Sequence, residues 1–577
     1  MNDDYTTRYQ QAVERLTTSG PFALTQASVN GHQMPVYANA PKTVNELLQP
    51  GRTYAERDCV VYEGERWSYN QVFQQADAIS QGLADTLGVR KGDRVAIAMR
   101  NLPEWMTVFI AIVQIGAVAV PLNSWGRTRE LTQGLNDAGA RVVFCDPQRL
   151  EYIEDALPQL GIEAVVVRPN SDQLPRHSRS LETFLADKLP SAPPQTDISG
   201  NDIAMIMYTS GTTGAPKGAV STHFALCQAI YSFEVSGALS AMLNPSAVKA
   251  MSAKGYPSCS LLSAPLFHVS GLHAHLLAGI RSGRKVVMLY KWDIEQACRH
   301  IESERVTLLN APPSVVQQLL ESPQFSAIDS SSLFSISGGG AASPPRLISL
   351  IDRNVANSLP SAAWGMTESN GIGTGVAGEG IKNKPHTSGL PHPVVQLRIS
   401  DETGKSCPTG EQGEIWIKSP TNISAYWNRP EANASDFYQG WFKTGDIGYL
   451  DKEGYLVVCD RAKDMVIRGG ENIYSIEVET LIASHPAVEE VAAVPVPDEK
   501  MGEELGVLVR PAKNAKLSGT DIQTFVEANL ARFKVPRYVV FRTEEFAKNA
   551  SGKILKKQAL QILLAGITSP EPTPENS

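Results

Sequence analysis

The run YTSGTTGAPKG at 208–218 has the residue types that hold an anion. Its three glycines permit tight turns and close backbone approach. Thr209, Ser210, Thr212 and Thr213 add hydroxyls, and Lys217 adds a cation. The run follows an apolar strand-like stretch, IAMIM, which a flexible Gly/Ser/Thr linker rarely does. A Walker A loop is excluded, because Lys217 is flanked by Pro216 and Gly218 and is not followed by Ser or Thr. Six more runs of chemistry-bearing residues follow in order: SGGGA at 337–341, WGMTES at 364–369, KTGD at 443–446, DRAKD at 460–464, GGEN at 469–472 and NASGKI at 549–554. Taken singly each has a plain reading. Glu368 alone reads as a solvated acid, Asp446 as a turn residue and Lys553 as an exposed lysine.

These residues need elements to position them. RVAIAM, AVAVPL, RVVFCD, IAMIMYT, KVVMLY and VTLLNAP are short apolar runs that alternate with helix-length segments. That alternation predicts βαβ units and parallel sheets, an α/β body. The apolar stretch 105–122 contains Gln114, Gly116 and Pro121, and reads as a buried helix followed by a buried strand rather than a membrane span. Residues 396–451 turn β-rich. Beyond Asp460 the pattern of helix, strands and helix suits a small α+β domain. The expected divisions are a large N-terminal domain, 1–460, a small and mobile C-terminal domain, 461–565, and a disordered proline-bearing tail, 566–577.

The ordered set of motifs, spread over about residues 45–565, resembles the adenylate-forming superfamily, which includes acyl-CoA synthetases. The resemblance implies activation of a carboxylic acid by ATP to acyl-AMP, with release of pyrophosphate, and then transfer of the acyl group to CoA. It implies that Thr209, Ser210, Gly211, Thr212, Thr213, Gly214 and Lys217 hold phosphates, and that Thr209 and Glu368 hold Mg2+. Gly338, Gly339 and Gly340 would border the adenine. Trp364, Gly365, Met366 and Thr367 would flank the nucleotide, with Trp364 where the family often has Tyr. Asp446 would bind the ribose and Arg461 the ribose or phosphates. Lys553 would be catalytic in adenylation, together with Glu368 and Thr209. Lys463 stands at the family's hinge, and Gly469 and Gly470 would border the CoA channel. Met501 occupies a place where relatives commonly carry an aromatic.

The segment PLFHVSGL at 265–272 resembles the family's acyl-pocket wall, with His268 and Val269 as the implied pocket residues. Amino-acid-activating relatives usually have Asp at the place of His268. A non-amino acid is therefore expected, with medium-to-long fatty acids ahead of aryl acids. The segment 238–258 either lines an acyl tunnel or is a surface insertion. Although 268–275 is histidine-dense, it lacks the ligand set of a metal site. A carrier-protein-loading ligase, an aryl-CoA ligase, a β-lactone synthetase and a non-catalytic nucleotide binder remain as alternatives.

Composition narrows the partners. The 577 residues carry 52 Lys plus Arg against 60 Asp plus Glu, a net charge of −8, which gives no bulk attraction for nucleic acid. The seven cysteines, Cys59, Cys145, Cys227, Cys259, Cys298, Cys407 and Cys459, form no CxxC pair. The N-terminus, MNDDYTTRYQ, has no signal-peptide pattern. A cytoplasmic chain with no transmembrane segment is expected. Its partners would be a small-molecule acid and CoA, and a homodimer is allowed.

Overall fold

The computed structural model describes residues 5–186, 193–209, 216–338, 345–356, 358–469, 471–549 and 552–568. The chain divides into two compact units, one of residues 1–396 and 417–442, the other of 397–416 and 443–577.

The first unit is built on two large sheets. In one, the neighbouring strands Ile203–Tyr208, Val118–Pro121, Arg94–Ala98, Val142–Cys145, Glu163–Val166 and Ser178–Ser180 run parallel. Gly218–Thr222 and Ala425–Tyr426 extend it antiparallel. In the other, Leu359–Trp364, Ser335–Gly338, Leu308–Ala311, Cys259–Leu262, Lys285–Met288 and Asp58–Tyr62 run parallel, with antiparallel strands at both edges. The strands are buried on both faces, which explains their near-continuous apolar sequence. The stretch 105–122 resolves as expected into the helix Pro103–Gln114, buried along its whole length, and the buried strand Val118–Pro121. Pro103 occupies the first helical turn, where its missing N–H costs nothing.

The segment 238–258 is mostly helical. The helix His223–Leu243 runs into it, and Pro245–Ser252 forms a second helix with no buried residue. His223–Leu243 is the one described helix long and apolar enough to cross a membrane. Twelve of its residues are buried inside the fold, so its apolar character is used by the core.

In the second unit, Val488–Asp498 and Gly502–Pro511 pair antiparallel, and Tyr538–Phe541 joins parallel. Successive residues point to opposite faces. Val491 and Ala493 enter a core with the helices Ser475–Ala483 and Gly519–Asn529. Ala492, Val494 and Val496 enter another with Ala559 and Leu563 of the helix Lys556–Thr568. The β-rich stretch expected at 396–451 appears as Gln396–Ser400, Gly413–Lys418 and Trp441–Leu450.

Candidate active site

The strand Ile203–Tyr208 delivers Thr209 to the start of the glycine-rich loop. Thr209 N–H donates to the Lys217 carbonyl at 2.9 Å, and Tyr208 pairs with Gly218, so the neck of the loop is closed by the sheet. Gly218 tolerates no side chain, because a Cβ would come within 2.7 Å of Ile206. Ser210, Gly211, Thr212, Thr213 and Gly214 lie outside the described residues, as do Gly339 and Gly340. Gly338 ends the buried strand Ser335–Gly338.

Lys217 projects its ammonium to 3.0 Å from the Asp436 carboxylate and 4.5 Å above the centre of the Tyr426 ring. Tyr426 stands there because its short strand pairs with Gly218–Thr222, Ala219 opposite Tyr426. The Tyr426 hydroxyl donates to Glu368 Oε1 at 2.9 Å. Burial, then the Glu368 charge, push the phenol's pKa far up, so it remains a donor. Glu368 sits in the short helical turn Thr367–Ser369 and is 8% exposed; its carbonyl accepts from Ile423 N–H at 2.9 Å.

Asn370 ends that turn in the left-handed region, φ +52°, a conformation Asn adopts more readily than most residues. Its amide donates to the Thr421 carbonyl at 2.8 Å, and its Oδ1 accepts from Ser221 Oγ at 2.8 Å and lies 3.1 Å from His273 Nε2. One buried amide thus ties the turn bearing Glu368 to the strand after the loop and to the segment after His268. Complete burial drives the His273 pKa down to about 4, so the ring is neutral near pH 7. His273 and His275 lie in a π-helical turn, Leu272–Leu277, and both are buried. Among the described residues no three His, Cys, Asp or Glu side chains form a metal cluster.

Val269 approaches Gly371 from the segment 265–272. A Cβ at Gly371 would stand 3.6 Å from Val269 Cβ and 3.5 Å from Phe233 Cζ. The His268 ring packs 4.4 Å from that of Phe267, centre to centre. Trp364 is buried at the end of Leu359–Trp364; Gly373 must be glycine, since a Cβ would press to 2.6 Å from the indole. Gly365 likewise passes the Gly371 carbonyl too closely for a side chain. Met366 N–H donates to Ser369 Oγ at 3.2 Å and fixes the start of the turn that holds Thr367.

The second unit groups the other predicted residues. Asp446 and Arg461 face each other across paired strands, with Arg461 Nε 3.2 Å from Asp446 Oδ1. Gly445 has φ +68°, which lets the chain turn so that Asp446 N–H meets Thr444 Oγ1 at 3.1 Å. Lys553 is half-buried in a turn closed by Asn549, whose Oδ1 accepts from Lys553 N–H at 2.9 Å. Desolvation, then the Arg461 charge, lower the Lys553 pKa to about 8; Asp446 and Asp464 oppose the shift and Lys463 adds to it. The four charged groups around Lys553 therefore include Asp446, Arg461 and Lys463, all singled out from the sequence.

Lys463 lies in the turn between Leu456–Arg461 and Val466–Arg468. Below it, Asp460 accepts a hydrogen bond from Ser475 N–H, and Lys556 reaches both Ser475 Oγ and the Glu479 carboxylate, the latter at 3.0 Å. Gly469 has φ +57°, donates its N–H to the Met501 carbonyl at 2.8 Å, and leaves room for the Met501 methyl, which a Cβ would meet at 2.5 Å. Gly470 lies outside the described residues.

Sequence reasoning did not find Tyr426, Asp436, Asn370, Phe233 or Gly371. Tyr426 and Asp436 lie in a turn-rich stretch, TNISAYWNRPEANASDFYQG, that has no periodicity to single them out. Asn370 and Gly371 do follow WGMTES directly, and that adjacency is the one available signal.

An α/β sheet whose antiparallel edge pair closes the neck of a glycine-rich loop, with a carboxylate and a lysine brought to one tyrosine, has the residue types of an anion-handling site. Comparison with known proteins gives the family. The model for AMP-binding enzymes matches residues 48–427, and that for the AMP-binding enzyme C-terminal domain matches 477–553. The chain belongs to this family, within the adenylate-forming superfamily. It is 34% identical over 521 residues to a long-chain-fatty-acid–CoA ligase of Mycobacterium tuberculosis, covering 89% of this chain and 97% of the relative. It is 32% identical to a feruloyl-CoA synthase of an Amycolatopsis species, covering 86% and 94%. An o-succinylbenzoate CoA synthetase of Bacillus subtilis, solved with its acyl-adenylate intermediate, superposes with a TM-score of 0.72 at 29% identity, over 89% of this chain and 97% of that one. The chain is an ATP-dependent acid–thiol ligase of the AMP-forming class.

Proposed function

We propose that this ligase activates an apolar, non-amino carboxylic acid and passes it to CoA, with the residue roles that follow. The acid's oxygen attacks the α-phosphorus of ATP. An O–P bond forms, the bridge to the β-phosphate breaks and pyrophosphate leaves. The CoA sulfur then attacks the acyl carbon, the thiol proton goes to solvent and AMP leaves. The observation that carries the reading is the meeting of Lys217 and Glu368 at Tyr426, a cation and a carboxylate presented together beside the loop neck. Catalysis of this transfer is mostly positioning and charge stabilisation.

Lys217 and the loop from Thr209 take the departing phosphates. Asp446 accepts from the ribose hydroxyls, while Arg461 reaches the ribose or phosphate side. Lys553 offsets the charge that builds as the acid approaches the α-phosphate. Gly338 to Gly340 and Trp364 to Thr367 border the base and the nucleotide. The Thr209 hydroxyl and the Glu368 carboxylate are hard oxygen donors of the kind Mg2+ prefers, and the ion would neutralise phosphate charge. For the thiol step, Lys463 serves as hinge, and Gly469 with Gly470 borders the pantetheine path beside Met501.

His268, Val269, Phe233 and Gly371 form the acyl wall, which offers no carboxylate to an ammonium group. Medium-to-long fatty acids are the first substrate class. Aryl acids are the second reading, favoured by the Phe233 ring set against the bare face of Gly371. A cytoplasmic location suits seven unpaired cysteines, five of them buried. The test is exchange of labelled pyrophosphate into ATP over a panel of fatty, aryl and amino acids, followed by thioester formation with CoA or a holo-carrier protein. Preference for an amino acid over its chain-matched fatty acid refutes the acid class; transfer to the carrier protein alone refutes CoA as acceptor. Sedimentation of the same preparation reads whether two copies pair.

A further inference from the structure

Lys217 and Glu368 are far apart in sequence, yet a single side chain touches both through different surfaces. The Tyr426 hydroxyl meets Glu368 Oε1 at 2.9 Å, and the face of its ring lies 4.5 Å from the Lys217 ammonium. The tyrosine has little freedom to move. Its backbone N–H donates to Asn433 Oδ1 at 2.7 Å, and its carbonyl accepts from Asn433 Nδ2 at 3.0 Å. Phe437 and Phe442 pack edge-to-face against the ring, with centres 6.2 and 6.3 Å away. Tyr426 is 4% exposed. A buried aromatic that served packing alone would need neither the hydroxyl nor the cation above it. The hydrogen bond uses one of the carboxylate's roughly four lone-pair sites, so it orients Glu368 without consuming it.

Building on the function proposed above, we infer that Tyr426 is a positioning residue for nucleotide activation. It holds the Glu368 carboxylate and the Lys217 ammonium in one rigid frame, so that metal-bound and bare phosphate oxygens of one polyphosphate meet both. The hydroxyl serves the metal side and the ring face serves the phosphate side. The two halves of the residue therefore separate by substitution.

Calorimetric titration with ATP, with and without MgCl2, tests this directly, and pyrophosphate exchange runs alongside. Tyr426→Phe keeps the ring and loses the hydroxyl. The Mg2+ concentration that half-saturates the gain in ATP affinity should rise about tenfold, the size of one hydrogen bond to a charged group. Metal-free ATP affinity should stay within about twofold. Tyr426→Leu removes the ring as well, and metal-free affinity should fall about threefold further. In a Glu368→Gln background the Tyr426→Phe effect on Mg2+ dependence should vanish, because the partner charge is gone. An unchanged Mg2+ requirement in Tyr426→Phe overturns the inference, and so does full additivity with Glu368→Gln. Failure of Tyr426→Phe to fold counts the same way, since the hydroxyl would then serve the fold. Wild-type protein that binds ATP with Mg2+ but exchanges no pyrophosphate would sink the proposed activity and leave this binding test standing.

Discussion

The two lysines that the sequence marks for chemistry stand in opposite surroundings. Lys217, in the first unit, has a carboxylate at 3.0 Å and an aromatic face beneath it. Lys553, in the second, is desolvated and crowded by Arg461 and Lys463, and its pKa falls to about 8. One cation carries its counter-charge with it. The other is set among neighbours of both signs, Arg461 and Lys463 against Asp446 and Asp464, and desolvation is the main cause of its lowered pKa. The difference teaches that the same side chain can be set beside a counter-charge or stripped of solvent, and the roles proposed for the two lysines, holding phosphates and responding to them, call for that contrast.

The largest expected effect comes from removing Lys553. Lys553→Ala should lower acyl-AMP formation about 10²–10³-fold, as loss of a transition-state stabiliser does. Conversion of supplied acyl-AMP and CoA to thioester should persist. Parallel loss of both half-reactions would erase the distinction between the lysines.

Acid stability separates the units themselves. His223, His273, His275 and His392 all lie in the first unit, and burial first of all lowers their pKa values to about 4, 4, 3 and 4. Between these values and the unfolded value near 6.5 the unfolded chain binds more protons, so stability falls as pH drops through that window. Each histidine should cost about 1–2 kcal/mol between pH 7 and pH 5. Urea unfolding followed by hydrogen exchange should show the first unit weakening before the second, and His392→Gln should flatten the pH slope by one such increment. Simultaneous weakening of both units would contradict this.

A smaller effect follows from the Lys553 pKa. The protonated form is the useful one and predominates below about pH 8, so kcat/KM for adenylation should fall about tenfold per unit above it. Lys463→Gln removes a neighbouring positive charge and should move that limb upward. A limb that stays put would mean another group titrates. The smallest effect concerns Lys217. Asp436→Asn frees the ammonium from a partly exposed pair, and ATP should bind a few-fold tighter, in keeping with about 1 kcal/mol or less for such pairs. Weaker binding would show that Asp436 orients the lysine instead of competing for it.

The sequence made some of this visible and hid the rest for physical reasons. Strands buried on both faces announce themselves as apolar runs, so Arg94–Ala98, Val142–Cys145 and Lys285–Met288 were readable. Asp446, Arg461, Lys463 and Lys553 were each singled out by motifs far apart in the chain, but that their charges act on one another became visible only in the folded second unit. Tyr426 was not readable. Its place comes from a two-residue strand pairing, Ala425 and Tyr426 on Val220 and Ala219, that no periodicity encodes. Asn370 was hidden because a left-handed asparagine at the end of a turn reads as punctuation, whereas here it is a three-way junction.

The bond between Thr209 N–H and the Lys217 carbonyl makes the glycine-rich loop a purse with a drawn string. That one bond sets the width of the mouth. The lysine stands at the mouth, so its place is dictated by the sheet and not by the contents. Variation within the loop would then adjust how firmly a nucleotide is gripped without displacing the charge it meets. A protein built this way separates a part free to drift from a part that must not, and gives evolution a knob that turns independently of the frame.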